Sequence, residues 1–374
     1  MKRAVALAAV LALGGAGRGD AAPVPFAIAK APYAFSFPAD HGAHPLYQSE
    51  WWYFTGHLRS SSGRRFGYEL TFFRVRLQPE DVAPAPVASA RSRWRGDQIY
   101  AAHFAITDEA GRAFVHTERV ARQALGLGAA AKGRLSVRAD DWSLLGEPLA
   151  DRTRERITLH AADASNGLDL VQVPVKPPAV HGRDGAFRKG GCASCASHYY
   201  SYSRLKTSGT LRYAGTRLAV EGTSWMDHEY GTNQLASDEV GWDWISLQLD
   251  DGRELMLYMF RRKGGALAAQ SAGSLIERDG RVRFLALDRF AVTAAGHWHS
   301  RETGADYPSG WRVQVAGAKL DVTLTPVIPN QEIALTSAPS YWEGAVDVRD
   351  AAAPARTRGQ GYVELTGYTD PVSL

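Results

Sequence analysis

Four short clusters in this 374-residue chain join large aromatic side chains to ionisable groups. The first is Ser49-Glu50-Trp51-Trp52-Tyr53. The second, Trp225-Met226-Asp227-His228-Glu229-Tyr230-Gly231, is closely followed by Trp242-Asp243-Trp244. Tyr307-Pro308-Ser309-Gly310-Trp311 and Tyr341-Trp342-Glu343 complete the set. Apolar walls with a few convergent polar groups are the composition of a small-molecule pocket. The competing role is structural, because tryptophans fill barrel ends and a carboxylate can simply accept an indole N–H. The second cluster is the richest. His228 titrates near neutral pH and suits a general acid or base, with Asp227, Glu229, Glu50 and Tyr230 as further candidates. In an extended chain His228 and Tyr230 share one face, and Asp227 and Glu229 the other. The expectation is still that Glu50, Asp227 and His228 meet at one cavity lined by Trp52, Trp225, Trp242 and Trp244.

Other chemistries find less support. A serine hydrolase needs its nucleophile on a Gly-x-Ser-x-Gly turn, and Gly222-Thr223-Ser224-Trp225-Met226 supplies only the first half. Neither Asp40, His41, His44 and Glu50 nor His297 and His299 has a closed zinc spacing, so no metal and no cofactor are expected. Cys192-Ala193-Ser194-Cys195 has redox-motif spacing but lies in a Gly-rich stretch without a following helix, which points to a local disulfide or free thiols. The net charge of +4 is spread among both signs, and Arg59, Arg64, Arg65, Arg74 and Arg76 form no groove-reading stripe, so nucleic acid is not an expected partner.

The elements that must position these residues read as strands. Short apolar runs bounded by Gly, Asp and Ser recur without helical periodicity. Phe66, Tyr68, Leu70 and Phe72 alternate, and Phe73, Val75 and Leu77 continue in the opposite phase, which predicts a bulge near Phe72. Trp242 to Leu249, Asp250-Asp251-Gly252-Arg253 and Leu255 to Phe260 read as a hairpin. The hairpin over Trp52 to Arg74 resembles that over Trp242 to Arg261, and the pattern around Ile106 to Val115 resembles Ile276 to Leu285. Two related β domains follow, with the boundary between about Trp225 and Gly241. Pro174 to Gly191 reads as a long surface loop. Met1-Lys2-Arg3, the apolar run Ala4 to Leu13 and the small residues to Ala22 read as a signal peptide over 1–22, too short for a transmembrane anchor; a periplasmic or secreted location is expected.

Four motifs now carry a resemblance: Gln48 to Tyr53, Ser224 to Gly231, Tyr307 to Trp311 and Gly361 to Tyr368. Together they resemble the AttH-like proteins, grouped with the carotenoid 1,2-hydratases in a lipocalin-like superfamily. The resemblance spans about residues 35 to 372. It implies an all-β chain of two tandem lipocalin-like antiparallel barrels, over 35–228 and 229–374, enclosing an isoprenoid or lipid-like molecule. It further implies acid-assisted hydration, isomerisation or hydrolysis of that molecule, or else a non-catalytic carrier serving an ABC transport system. Asp227-His228-Glu229-Tyr230-Gly231 matches the hydratases' Asp-His-Asn-Trp-Gly, whereas Tyr258-Met259-Phe260 lacks the acid of their downstream Tyr-x-Asp. Substrate contacts are expected from Trp51, Trp52, Tyr53, Trp225, Trp242, Trp244, Tyr258, Trp311 and Trp342.

Overall fold

The computed structural model describes residues 26–79, 96–151, 153–192, 194–232, 235–335 and 338–372; the expected signal peptide lies outside them. Among the described residues there is no α-helix, and no helix is long and apolar enough to cross a membrane. Thirteen strands make the first sheet. β1 (Ser49–Ser60), β2 (Arg65–Arg76), β3 (Gln98–Asp108) and β4 (Ala113–Arg122) form one meander. β5 (Gly128–Ala130), β6 (Ser136–Ala139), β7 (Trp142–Pro148), β8 (Glu155–Ala162) and β9 (Gly167–Pro174) form another. The short β10 (Ala179–Val180) and β11 (Phe187–Arg188) precede the long β12 (Ala196–Tyr213) and β13 (Thr216–Gly231). The order β4-β3-β2-β1-β13-β12-β9-β8-β7-β6-β5 brings the two ends together, with β3 and β4 against β6, so the sheet is a nearly closed barrel.

The second sheet opens the same way. β14 (Glu239–Leu249), β15 (Glu254–Arg262), β16 (Ala272–Ile276) and β17 (Val282–Ala286) form a meander. β18 (Phe290–Ala294), β21 (Trp311–Val315), β22 (Leu320–Pro326), β23 (Glu332–Ile333), β24 (Tyr341–Asp350) and β25 (Thr357–Leu365) complete the sheet, while β19 (His297–His299) and β20 (Asp306–Pro308) pair only with each other. The order β17-β16-β15-β14-β25-β24-β22-β21-β18 mirrors the first sheet, with β25 beside β14 as β13 lies beside β1. The repeat seen in the sequence is therefore one of topology: two tandem antiparallel barrels. The turn at Gly252 has φ +85°, a left-handed conformation that glycine adopts without Cβ strain.

Two expectations change. β1 and β2 pair without interruption from Ser49↔Val75 to Arg59↔Arg65, so there is no bulge at Phe72. Phe66, Tyr68, Leu70 and Phe72 fill the first barrel, while Phe73 and Val75 face a cavity between the barrels. Both phases are apolar because both faces are covered. Nor is Pro174 to Gly191 a surface loop: β10 and β11 pair with β12, and Ala179, His181, Phe187 and Lys189 are buried. It straps the first barrel to the second. His181 Nδ1 meets Ser274 Oγ at 2.8 Å, and Lys176 Nζ donates to Glu254 Oε2 at 2.7 Å, so the strap's polar groups are satisfied by the neighbouring barrel.

Candidate functional site between the barrels

Strand alternation sorts the candidate residues. β13 lies between β1 and β12, with His228 opposite Trp52 and Tyr200, and Asp227 opposite Tyr53 and Ser201. His228, Tyr230, Glu50 and Trp52 turn into the first barrel. Asp227, Glu229, Trp51 and Tyr53 turn toward the second, whose β14, β15, β24 and β25 contribute Trp242, Trp244, Tyr258, Tyr341 and Glu364. A cavity of about 80 Å³ remains there. Its wall is largely aromatic and carries the acids Asp227, Glu229 and Glu364; Glu50 and Arg74 also border it, with their charged groups paired to each other.

The acids of this cavity are held against ionisation. Asp227 Oδ2 accepts from the Tyr199 hydroxyl at 2.9 Å, and Oδ1 from Trp225 Nε1 at 2.6 Å and from Ser201. Burial is the larger effect: three neutral donors favour the anion, yet the carboxyl is pushed up to about 7. Glu364 is likewise raised by burial to about 7, although Trp242 Nε1 donates to it at 2.9 Å. Glu229 is raised by burial despite Lys189, whose Nζ lies 2.5 Å from Oε1. Lys189 also donates to the Tyr258 hydroxyl at 3.1 Å and lies over the rings of Trp51 and Tyr258. Behind them Tyr53 donates to Glu343 at 2.7 Å, and burial drives Glu343 well above the carboxylate range.

The opposite face of β13 is the electrostatic reverse. Glu50 Oε1 meets His228 Nε2 and His44 Nδ1, each at 2.9 Å, and Oε2 accepts from Arg74 Nε at 2.8 Å. Burial alone would raise Glu50; Arg74 and the two imidazoles outweigh it and hold the carboxyl well below its ordinary value. Burial lowers His228 and so favours the neutral ring. With Glu50 ionised, His228 presents Nε2–H to it, and Nδ1 accepts from the Tyr200 hydroxyl at 3.2 Å. Trp52 stacks on His228 with ring centroids 4.8 Å apart, and His44 on Tyr230 at 3.6 Å. Among the described residues, His44, Glu50 and His228 form the cluster whose donor atoms lie close enough together to share a metal ion.

The nominated residues are thus split. Asp227, Glu229, Trp51, Tyr53, Trp242, Trp244 and Tyr258 surround the cavity, with Trp225 behind Asp227. Glu50 borders the cavity, but its carboxylate is directed with His228 and Tyr230 to the other side of the same strands, so of the three groups expected at one cavity His228 is kept from it by the sheet. Trp52 is in the core of the first barrel, and Trp311 and Trp342 in that of the second. Sequence reasoning missed Glu364, Lys189 and Tyr199. Glu364 carried a signal, an acid between Val363 and Leu365 on a strand; Lys189, inside an apparent loop, carried none.

A model of the AttH-like family matches residues 28–368. A putative AttH protein from Nitrosomonas europaea, solved as a crystal structure, is 32% identical over 91% of this chain and 99% of its own, with a TM-score of 0.79. Kievitone hydratase from Nectria haematococca, 13% identical, covers 93% of this chain and 98% of its own at a TM-score of 0.67. CghA, crystallised with Sch210972, is 12% identical and covers 94% and 98% at 0.53. The latter two show the shared fold. No curated protein matches the sequence.

Proposed function

This chain belongs to the AttH-like family, and we propose that it is an exported protein that adds water across a carbon–carbon double bond of a small apolar molecule, in the cavity between its barrels. The observation that carries this reading is Asp227, a carboxyl in an aromatic-walled cavity whose affinity for its proton is raised to about 7. Such a group is still an acid at neutral pH. It donates its proton to one alkene carbon, and the electron pair of the double bond forms the new C–H bond. The cation left on the other carbon faces the rings of Trp242, Trp244 and Tyr258, whose π-faces stabilise positive charge. Water adds there and releases a proton to ionised Glu364. Because both carboxyls titrate near 7, the state with one proton between them is populated at neutral pH. Glu229 and Lys189, closed on each other, add no net charge.

The cavity's size favours this over carriage of a whole lipid: about 80 Å³ holds a few heavy atoms, such as the end of an isoprenoid chain. The test is mass spectrometry of organic extracts from the purified protein, then incubation of the identified compound and related terminal alkenes in D2O. The expected result is a product heavier by one D2O, with deuterium on carbon, formed by the wild type and not by Asp227→Asn. Stoichiometric co-purification of an apolar compound that neither protein alters would instead make the chain a carrier for a transport system.

A further inference from the structure

We propose that His44, Glu50 and His228 bind one divalent transition-metal ion of the zinc type, on the face of β13 opposite the cavity. The site is separate from the reaction assigned to Asp227, and its test does not depend on that reaction. The three side chains come from the segment before β1, from β1 and from β13. Their donor atoms, His44 Nδ1, Glu50 Oε1 and His228 Nε2, lie within 4.8 Å of one another. Both imidazole nitrogens are 2.9 Å from the same carboxylate oxygen. In a tetrahedral shell with bonds of about 2.0–2.1 Å, neighbouring donors stand roughly 3.4 Å apart. An outward shift of about half an ångström in each of the two nitrogen–oxygen pairs brings them to that spacing.

The surroundings prepare these atoms for ligation. Arg74 Nε takes Glu50 Oε2 and leaves Oε1, on which the two imidazoles and the His44 backbone N–H converge, as the ligand atom. Its positive charge is offset, since Glu50 and Asp40 together carry two negative charges against it. Ligating imidazoles need an acceptor for the far N–H. Asp40 Oδ1 stands 3.3 Å from His44 Nε2, and the Tyr200 hydroxyl 3.2 Å from His228 Nδ1. When the ion binds, His44 Nδ1 gives up to solvent the proton it directs at Glu50, while the proton of His228 Nε2 moves to Nδ1 and Tyr200 becomes its acceptor. Tyr200 then donates to His41 Nδ1 at 2.7 Å, and His41 Nε2–H meets the Tyr202 hydroxyl at 3.0 Å and the Thr153 carbonyl at 3.3 Å. Every buried group keeps a partner when the chain of hydrogen bonds reverses. Stacking on Tyr230 and Trp52 fixes both rings. His44 is partly exposed, so water can reach the fourth position.

The test is titration of the chelator-treated full chain with Zn2+ by calorimetry and with Co2+ by absorption spectroscopy. One equivalent should bind, with protons released and the visible bands of four-coordinate Co2+. His44→Gln and His228→Gln should each weaken Zn2+ binding by more than about 100-fold, and Asp40→Asn by about 10- to 100-fold. His44 lies at the edge of the cluster, so His44→Gln keeps the test decisive if His228→Gln fails to fold. Absence of saturable Zn2+ binding to the wild type, or equal affinity in a folded His44→Gln variant, would overturn the proposal.

Discussion

Asp227 and His228 are neighbours on β13, and the two faces they occupy teach opposite lessons. On the inner face Glu50 has a guanidinium and two imidazoles, and its proton affinity falls. On the outer face Asp227 has only neutral donors, and its proton affinity rises. The two carboxyls are both fully buried. The deciding difference is a formal positive charge within hydrogen-bonding distance, since neutral donors recover only part of the solvation an anion loses. A sheet covered on both sides can therefore hold a satisfied charge network on one face and proton-loaded acids on the other. The first suits stability or a bound cation, and the second suits proton donation.

The sharpest way to break this contrast is to remove one carboxyl from each face. Asp227→Asn should lower turnover of the alkene identified from extracts by about 10²- to 10⁴-fold while the protein stays folded, because only the transferable proton is lost. A variant within tenfold of wild type would remove Asp227 from the reacting atoms. Glu50→Gln should act on folding instead. It leaves Arg74 buried beside a neutral amide, which costs about 3–5 kcal/mol in chemical denaturation. Loss of turnover by Glu50→Gln at unchanged stability would mean that the inner face does chemistry after all.

The response to pH should separate the faces as well. Asp227 and Glu364 bind protons more tightly folded than unfolded, so the stability they contribute is complete below about pH 4 and lost as pH rises through about 7. Glu50 works the other way: its contribution is complete above its unfolded value and lost as pH falls toward its depressed folded one. Thermal unfolding from pH 4 to 9 should show the alkaline decline shrink in Asp227→Asn and persist in Glu50→Gln. Turnover should fall above about 7 as Asp227 ionises. A rate that climbs through pH 8 would exclude an acid of this kind.

The architecture was legible because barrels repeat. The hairpin around Gly252 and its counterpart over Trp52 to Arg74 became β14-β15 and β1-β2, at equivalent places in the two sheets. The aromatic and acidic motifs were legible as residues but not as a site. Alternation along β13 separates Asp227 from His228, whereas the motif's density suggested one cavity. Period-two patterns assume that one face is dry and the other wet. Here β1, β2, β14 and the end of β13 from Ser224 are covered on both faces, so Phe73 and Val75 looked like a bulge and Glu364 like an ordinary strand residue. Lys189 reaches Glu229 through tertiary packing of the strap, which local sequence does not encode.

A smaller effect is expected from the cavity wall. Trp242 lines the cavity and gives its indole N–H to Glu364. Trp242→Ala should weaken binding of the apolar ligand by about tenfold, the scale of one aromatic contact of about 1.4 kcal/mol. Trp311→Phe, in the core of the second barrel, should leave that affinity unchanged. Equal losses from both would show that the ligand reads the second barrel's interior and not the space between barrels.

The smallest effect belongs to the cysteines. Cys192 and Cys195 form a disulfide, and the segment they close begins three residues beyond Lys189, so the bridge could appear to hold that lysine in the cavity wall. The backbone does this without it. Phe187 and Arg188 pair with Ser197 and Ala196, and the N–H groups of Lys189 and Gly190 both donate to the Cys195 carbonyl. Lys189 is further held by Glu229 and by the rings of Trp51 and Tyr258. Closing so short a loop restrains the unfolded chain by at most about 2 kcal/mol. Replacing Cys192 and Cys195 together by Ser should therefore lower stability by no more than that and leave ligand affinity and turnover unchanged. A folded double variant that loses ligand binding would show that the disulfide, and not the strand pairing, fixes Lys189 on the outer face.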